Sequence, residues 1–124
     1  LSVLPVKSES IISSFNYAIM GILSAFRSER NMWIHLAAAI LALIGGFILR
    51  ISHLEWGLVI ISIALVITTE MVNTTMEYLV NVIKEERSES VRRIKDISAA
   101  AVLIAALAAV TIGGIVFLPK LLGL

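Results

Sequence analysis

Long apolar stretches alternate with short polar ones along this chain, and three of them are long enough to cross a membrane. They run from about Asn31 to Leu49, from Trp56 to Ile83 and from Ile97 to Leu118. A hydrocarbon core about 30 Å thick needs about 20 residues of helix. Because only a helix satisfies its backbone hydrogen bonds within one segment in lipid, the pattern predicts three transmembrane helices.

A different pattern precedes the first span, over residues 10–28. Apolar residues recur there at helical spacing, and serine, glycine and tyrosine residues occupy the other positions in a 3-4-3 rhythm. The apolar set is Ile11, Phe15, Ile19, Ile22 and Phe26. This periodicity predicts an amphipathic helix, and beside a span such a helix is expected to lie in the membrane interface.

The composition strengthens the membrane prediction. Hydrophobic residues make up 59% of the 124 residues and charged residues only 15%, whereas a soluble domain carries about 25% charge. So small a chain, expected to form one domain over residues 1–124, cannot bury that much apolar surface in its own core. This excludes an ordinary soluble enzyme, and the absence of cysteine excludes thiol chemistry and zinc-thiolate sites.

The basic residues predict how the spans are oriented. With three spans, the N-terminal region and the loop between spans two and three share one side of the membrane. That side carries eight lysines and arginines: Lys7, Arg27, Arg30, Lys84, Arg87, Arg92, Arg93 and Lys95. The other side carries Arg50 and Lys120. The positive-inside rule therefore predicts a cytoplasmic N-terminus and an outside C-terminus in the cell membrane.

The second half of the second span carries a polar stripe. With 100° per residue, Glu70, Asn73, Glu77 and Asn81 fall within about 80° of one another around the helix. A carboxylate at this depth costs about 2.5–3.5 kcal/mol on insertion scales, so these residues are candidates for function. One alternative is a polar zipper between subunits, in which protonated glutamate and asparagine bond across helices.

The residue types in and beside the stripe are those used in phosphoryl transfer. Carboxylate and amide oxygens suit Mg²⁺, which often bridges to substrate phosphates. Lys95 and Asp96 stand at the start of the third span, where a lysine can hold a phosphate. A P-loop and the protein-kinase motifs are both absent from the sequence, so neither of those folds is indicated.

The runner-up function is a small oligomeric channel or transporter subunit with the stripe lining an ion path. A pore needs polar residues across the full depth of the membrane. Between Trp56 and Ile67 the only polar side chain is Ser62, so the stripe stops halfway and a membrane-surface kinase is favoured. For His35, near the start of the first span, a hydrogen-bonded interfacial side chain is favoured over a contact with a phosphate or lipid headgroup.

Three sequence blocks resemble the prokaryotic integral-membrane diacylglycerol kinase family, and its Gram-positive undecaprenol kinase branch most of all. They are Ser14-Phe15-Asn16-Tyr17-Ala18 continuing through residues 21–35, Glu70-Met71-Val72-Asn73-Thr74-Thr75-Met76-Glu77, and Lys95-Asp96-Ile97-Ser98-Ala99-Ala100-Ala101-Val102. The resemblance covers about residues 10–118. The most specific part of the resemblance is the second block followed by the third at this separation along the chain.

The resemblance implies an all-α homotrimer in which each protomer has three transmembrane helices and an N-terminal surface helix. It implies active sites shared between protomers at the cytoplasmic face, transfer of the ATP γ-phosphate to a lipid hydroxyl with Mg²⁺, and no nucleic-acid partner. By position, Glu70 matches the general base. The metal-binding set is Glu29, Glu77 and Asn73, and the ATP-binding set is Lys95, Asp96, Glu86 and Asn81.

The chain departs from the family pattern at two places. Asn81 stands where the family usually has aspartate, which removes a negative charge from the nucleotide region. Arg87 and Ser88 stand where relatives often carry Tyr-His, which bears on how adenine is held. Both departures leave Glu70 and Lys95 in place, so an active kinase is expected, acting on either undecaprenol or diacylglycerol.

Overall fold

Four helices make up the part of the chain described by the computed structural model, residues 10–83 and 88–124. They are α1 (Ile11–Ser28), α2 (Arg30–Leu49), α3 (His53–Ile83) and α4 (Glu89–Leu121). Within these ranges there is no strand, and α2, α3 and α4 are each long and apolar enough to cross a membrane. The predicted all-α chain with three long apolar helices is confirmed.

The helix ends follow local sequence signals. Ser10 and Ser88 cap α1 and α4, because their hydroxyl oxygens accept the backbone N–H groups of Ser13 at 3.1 Å and Val91 at 3.0 Å. Such a cap satisfies a backbone donor that has no partner inside the helix. Arg50, with a φ of 55°, ends α2 in the left-handed conformation typical of helix C-termini.

Helix α4 is longer than the third span predicted at 97–118. It begins at Glu89, and the Glu89 carboxylate lies 3.9 Å from the Arg93 guanidinium one turn later, so the charged stretch 89–96 that precedes the predicted span is also helical. At the other end α4 passes Pro119 and ends at Leu121. The predicted span ended at Leu118, just before this proline. So near the end of the helix, proline removes only one backbone donor and the last turn still forms.

Helices α3 and α4 pack along one another and α2 closes against both. The hydrophobic core is small and centres on Ile51, Val59 and Val116, with Trp56 and Phe117 packed against it. Most of the large apolar side chains on α2, α3 and α4 face outward. An apolar surface this extensive requires lipid or another protein subunit around it.

The junction between α1 and α2 is held by an aromatic pair. Glu29 is the single residue between the two helices. The Trp33 indole N–H donates to the Phe26 carbonyl at 2.9 Å, and the two rings meet edge to face with their centroids 5.0 Å apart. This contact spans the turn that contains Glu29 and restrains how α1 is joined to α2.

Candidate active site at the polar end of α3

Glu70 is the most buried charged side chain among the described residues, with 1% of its surface exposed. Its Oε1 atom lies 3.3 Å from Nε2 of His35 on α2. Its Oε2 atom is buried and has no hydrogen-bond partner within the described ranges. A buried carboxylate oxygen without a partner is costly, so this atom marks a place where a ligand could bind.

A polar cavity of about 210 Å³ lies one to three turns further along α3. Glu29, from the α1–α2 junction, meets Glu77 and Asn81 there, and the remaining lining is Ser28, Thr74 and Tyr78. The sequence placed Glu77 and Asn81 on one face of a helix. Packing adds Glu29, which is distant in sequence.

The electrostatics of this cavity are dominated by negative charge. Burial raises the pKa of the Glu29 carboxyl above its ordinary value, and the nearby charges of Glu77 and then Glu70 raise it further. Each of these causes disfavours the ionised form of Glu29. A cation bound between Glu29 and Glu77 would offset the repulsion, so the cavity is suited to a positive ligand.

The donor set fits Mg²⁺ with few protein ligands. Two carboxylates and an amide oxygen are hard oxygen ligands, and Mg²⁺ commonly keeps several waters or substrate phosphates as its other ligands. Over residues 10–83 and 88–124, no three acidic or histidine side chains form a complete metal-binding cluster. Asn73 is buried beside this region, and its Oδ1 atom has no hydrogen-bond partner there.

The remaining predicted residues are not brought into the cavity. Lys95 and Asp96 are exposed near the start of α4, and no described residue of α4 lines the cavity. Glu86 lies outside the described residues, as does Arg87. Within one chain the structure therefore joins Glu29, Glu77 and Asn81, and holds Glu70 and Asn73 in buried positions on the same helix.

Sequence reasoning missed the partner of His35. The side chain was expected to be hydrogen-bonded, and it is, but its partner is Glu70, 35 positions away in the sequence. The available signal was weak: a histidine near the start of an apolar span has few polar partners, and a buried carboxylate on a neighbouring span is one of them.

Similarity to known proteins shows the family of this chain. The sequence model described as prokaryotic diacylglycerol kinase matches residues 16–117, which is most of the chain. The chain belongs to this family. As a prokaryotic diacylglycerol kinase family member it is an enzyme of the lipid kinase class, and the sequence resemblance is confirmed.

Curated relatives include both kinds of lipid kinase. The chain is 37% identical to an undecaprenol kinase of Bacillus subtilis over 108 residues, which are 87% of this chain and 88% of that protein. It is 33% identical to a diacylglycerol kinase of Synechocystis over 93% of this chain and 66% of that protein. It is also 33% identical to a diacylglycerol kinase of Haemophilus influenzae over 86% and 92% of the two chains.

Proposed function

We propose that this family member transfers the γ-phosphate of ATP to the hydroxyl of a membrane lipid alcohol at the cytoplasmic face of the cell membrane. The observation that carries the proposal is Glu70, an almost fully buried carboxylate on an apolar helix with one oxygen left without a partner. A lipid hydroxyl reaches such a base by lateral movement in the bilayer, which a base on a soluble loop would not allow.

Glu70 has the role of general base. Its free oxygen accepts the proton of the lipid hydroxyl as the hydroxyl oxygen attacks the γ-phosphorus and ADP departs. Glu29, Glu77 and Asn73 would hold Mg²⁺. Glu29 and Glu77 line the cavity together with Asn81, whereas Asn73 is buried on α3 outside that lining. When bound, Mg²⁺ supplies positive charge that stabilises the transferring phosphoryl group.

ATP binding is assigned to Lys95, Asp96, Glu86 and Asn81. Lys95 supplies positive charge for the phosphates. Because Lys95 and Asp96 are exposed and no described residue of α4 lines the cavity, a neighbouring protomer is the proposed source of these two residues at each site. The homotrimer with shared active sites is taken from the family resemblance, and the outward-facing apolar surface of α2, α3 and α4 supports close association of protomers.

The proposed setting in the membrane follows from the same features. Helix α1 lies in the interface as an amphipathic surface helix, with its large apolar side chains unburied in the monomer. The N-terminus and the connection between α3 and α4 are on the cytoplasmic side, where the basic residues and the carboxylate cavity have access to ATP. The C-terminus is outside.

The test is lipid phosphorylation by purified protein in mixed micelles with Mg²⁺, labelled ATP and either undecaprenol or diacylglycerol. We expect lipid phosphate from the wild type, with undecaprenol preferred. Glu70→Gln should lower kcat by about 100-fold or more, because general base catalysis contributes that much.

Glu55→Gln is the matched control. It makes the same chemical change near the other end of α3, where the carboxylate is partly exposed and pairs with Lys120 at 3.5 Å. This variant should keep wild-type turnover. Wild-type turnover by Glu70→Gln would overturn the base assignment, and wild-type protein that phosphorylates neither lipid would overturn the proposed function.

A further inference from the structure

His35 lies between the buried carboxylate of Glu70 and a mainly apolar cavity. Its Nε2 atom lies 3.3 Å from Oε1 of Glu70, and 19% of its side chain is exposed. The ring also lines a cavity of about 220 Å³ whose other walls include Ala38, Ala39 and Val66. Water is scarce in such surroundings, and a hydrogen bond made there is stronger than one made in water.

The two oxygens of Glu70 have different surroundings. Oε1 has His35 as its partner, whereas Oε2 has none within the described ranges. The terminal torsion of a glutamate side chain is broad and has no strong preference of its own. The His35 contact on Oε1 is therefore the polar interaction that favours one orientation of the carboxylate.

We infer that His35 is a positioning residue for Glu70. Its Nε2–H donates to Oε1 and so leaves Oε2 as the atom that accepts the proton from the lipid hydroxyl. In that step the O–H bond breaks and the proton passes to Oε2. The hydroxyl oxygen forms its bond to the γ-phosphorus, and the bond between the γ-phosphorus and the oxygen of ADP breaks. The inference rests on the proposed lipid kinase function and adds a residue to it.

A positioning role predicts an effect on turnover and not on ATP binding. His35 does not line the cavity of Glu29 and Glu77. Among the described hydrogen bonds and ion pairs, it makes no contact with the predicted ATP-binding residues. Misplacing a catalytic group by about 1 Å can cost about 100-fold in rate. Loss of the His35 contact should therefore lower kcat and leave the KM for ATP unchanged.

The experiment compares His35→Gln with His35→Asn in the mixed-micelle assay. The two amides have the same chemistry, but only glutamine carries its N–H donors out to the position of Nε2. His35→Gln should keep kcat within about threefold of wild type, since one N–H donor to the carboxylate replaces another. His35→Asn should lower kcat by about 10- to 100-fold, with the KM for ATP unchanged. His53→Asn, at the exposed start of α3, is the matched control and should behave as wild type.

A double variant separates positioning from a general effect on folding. In the Glu70→Gln background, His35→Asn should lower the residual activity no further, because residues that act as one unit are not additive. Independent, additive losses would overturn the inference. Wild-type kcat in His35→Asn, or an equal loss in His35→Gln and His35→Asn, would also overturn it.

Failure of this inference and failure of the proposed function give different results. If Glu70→Gln abolishes lipid phosphorylation but His35→Asn has wild-type kcat, the kinase assignment stands and the role of His35 is wrong. If the wild type phosphorylates no lipid, or Glu70→Gln retains full turnover, the proposed function fails first.

Discussion

At the residue scale, the site combines two carboxylates that repel one another with a third that is buried apart from solvent. Glu29 and Glu77 share one cavity, and the Glu77 charge is one cause of the raised pKa of Glu29. Such a pair costs stability when no cation is present. Groups needed for function commonly sit in this kind of strained electrostatic arrangement.

The repulsion between Glu29 and Glu77 predicts the effect of removing one of the two charges. Glu77→Gln should stabilise the metal-free protein in detergent, by up to about 1 kcal/mol, since a partly exposed charge interaction is worth no more than that. The same variant should require more Mg²⁺ for half-maximal lipid kinase activity. Thermal unfolding in EDTA and a Mg²⁺ titration of the initial rate are the two measurements.

Glu55→Gln is the comparison for the Glu77 variant. Glu55 pairs with Lys120 and accepts the Ser52 backbone N–H at 2.9 Å, so Glu55→Gln removes attraction and not repulsion. It should lower the unfolding temperature slightly and leave the Mg²⁺ requirement near wild type. A Glu77→Gln protein that is less stable than wild type in EDTA would contradict the repulsion argument.

At the scale of elements, the hairpin between α2 and α3 depends on one close approach. A Cβ atom added to Gly46 would lie 2.7 Å from Cη2 and 2.9 Å from Cζ2 of Trp56. The Trp56 ring is rigid and is also packed edge to face on Phe47, with the ring centroids 5.3 Å apart. The neighbouring Gly45 has more room, because the nearest atom to an added Cβ is in the Phe117 ring, 3.5 Å away.

The different space around Gly45 and Gly46 predicts unequal effects of alanine at the two positions. Gly46→Ala should destabilise the protein by about 1–3 kcal/mol, as overpacking of a tight contact does. Gly45→Ala should be neutral or stabilising by up to about 1 kcal/mol, because alanine is the better helix former and no clash opposes it.

Chemical or thermal unfolding of both glycine variants in the same detergent checks this prediction. Equal stability of the two proteins would show that Trp56 can move away from α2 at little cost. Lipid kinase activity of folded Gly46→Ala should stay close to wild type, since Trp56 precedes Glu70 on α3 by about 21 Å of helix.

At the scale of the whole molecule, the distribution of basic residues should set the orientation in the membrane. The chain has no cysteine, so single-cysteine variants report position without a background. Ser90 and Leu124 are exposed at opposite ends of the region containing α4. We expect an impermeant maleimide to label Leu124→Cys in intact spheroplasts and to label Ser90→Cys only after the membrane is opened.

Labelling of Ser90→Cys in intact spheroplasts, with Leu124→Cys protected, would reverse the predicted topology. It would also place the carboxylate cavity away from cytoplasmic ATP. Both variants should retain lipid kinase activity, which confirms that the labelled proteins are folded.

The sequence alone was sufficient for the all-α class, the three long apolar helices and the candidate carboxylates. Helix periodicity, capping serines and apolar length are local properties, and a residue such as Glu70 is conspicuous in an apolar span because its burial is costly. Local spacing also placed Glu77 and Asn81 on one face of α3. The family resemblance pointed to Glu29, which spacing could not connect to them.

The remaining features of the site were decided by contacts between helices. Which side chain meets Glu70 depends on how α2 packs against α3, and the His35 contact joins residues far apart in sequence. Likewise Glu29 reaches the cavity of Glu77 because the α1–α2 junction folds back onto α3. Periodicity specifies a face of one helix, but the partner of that face is set by the packing of all the helices together, because many faces of this chain are equally apolar.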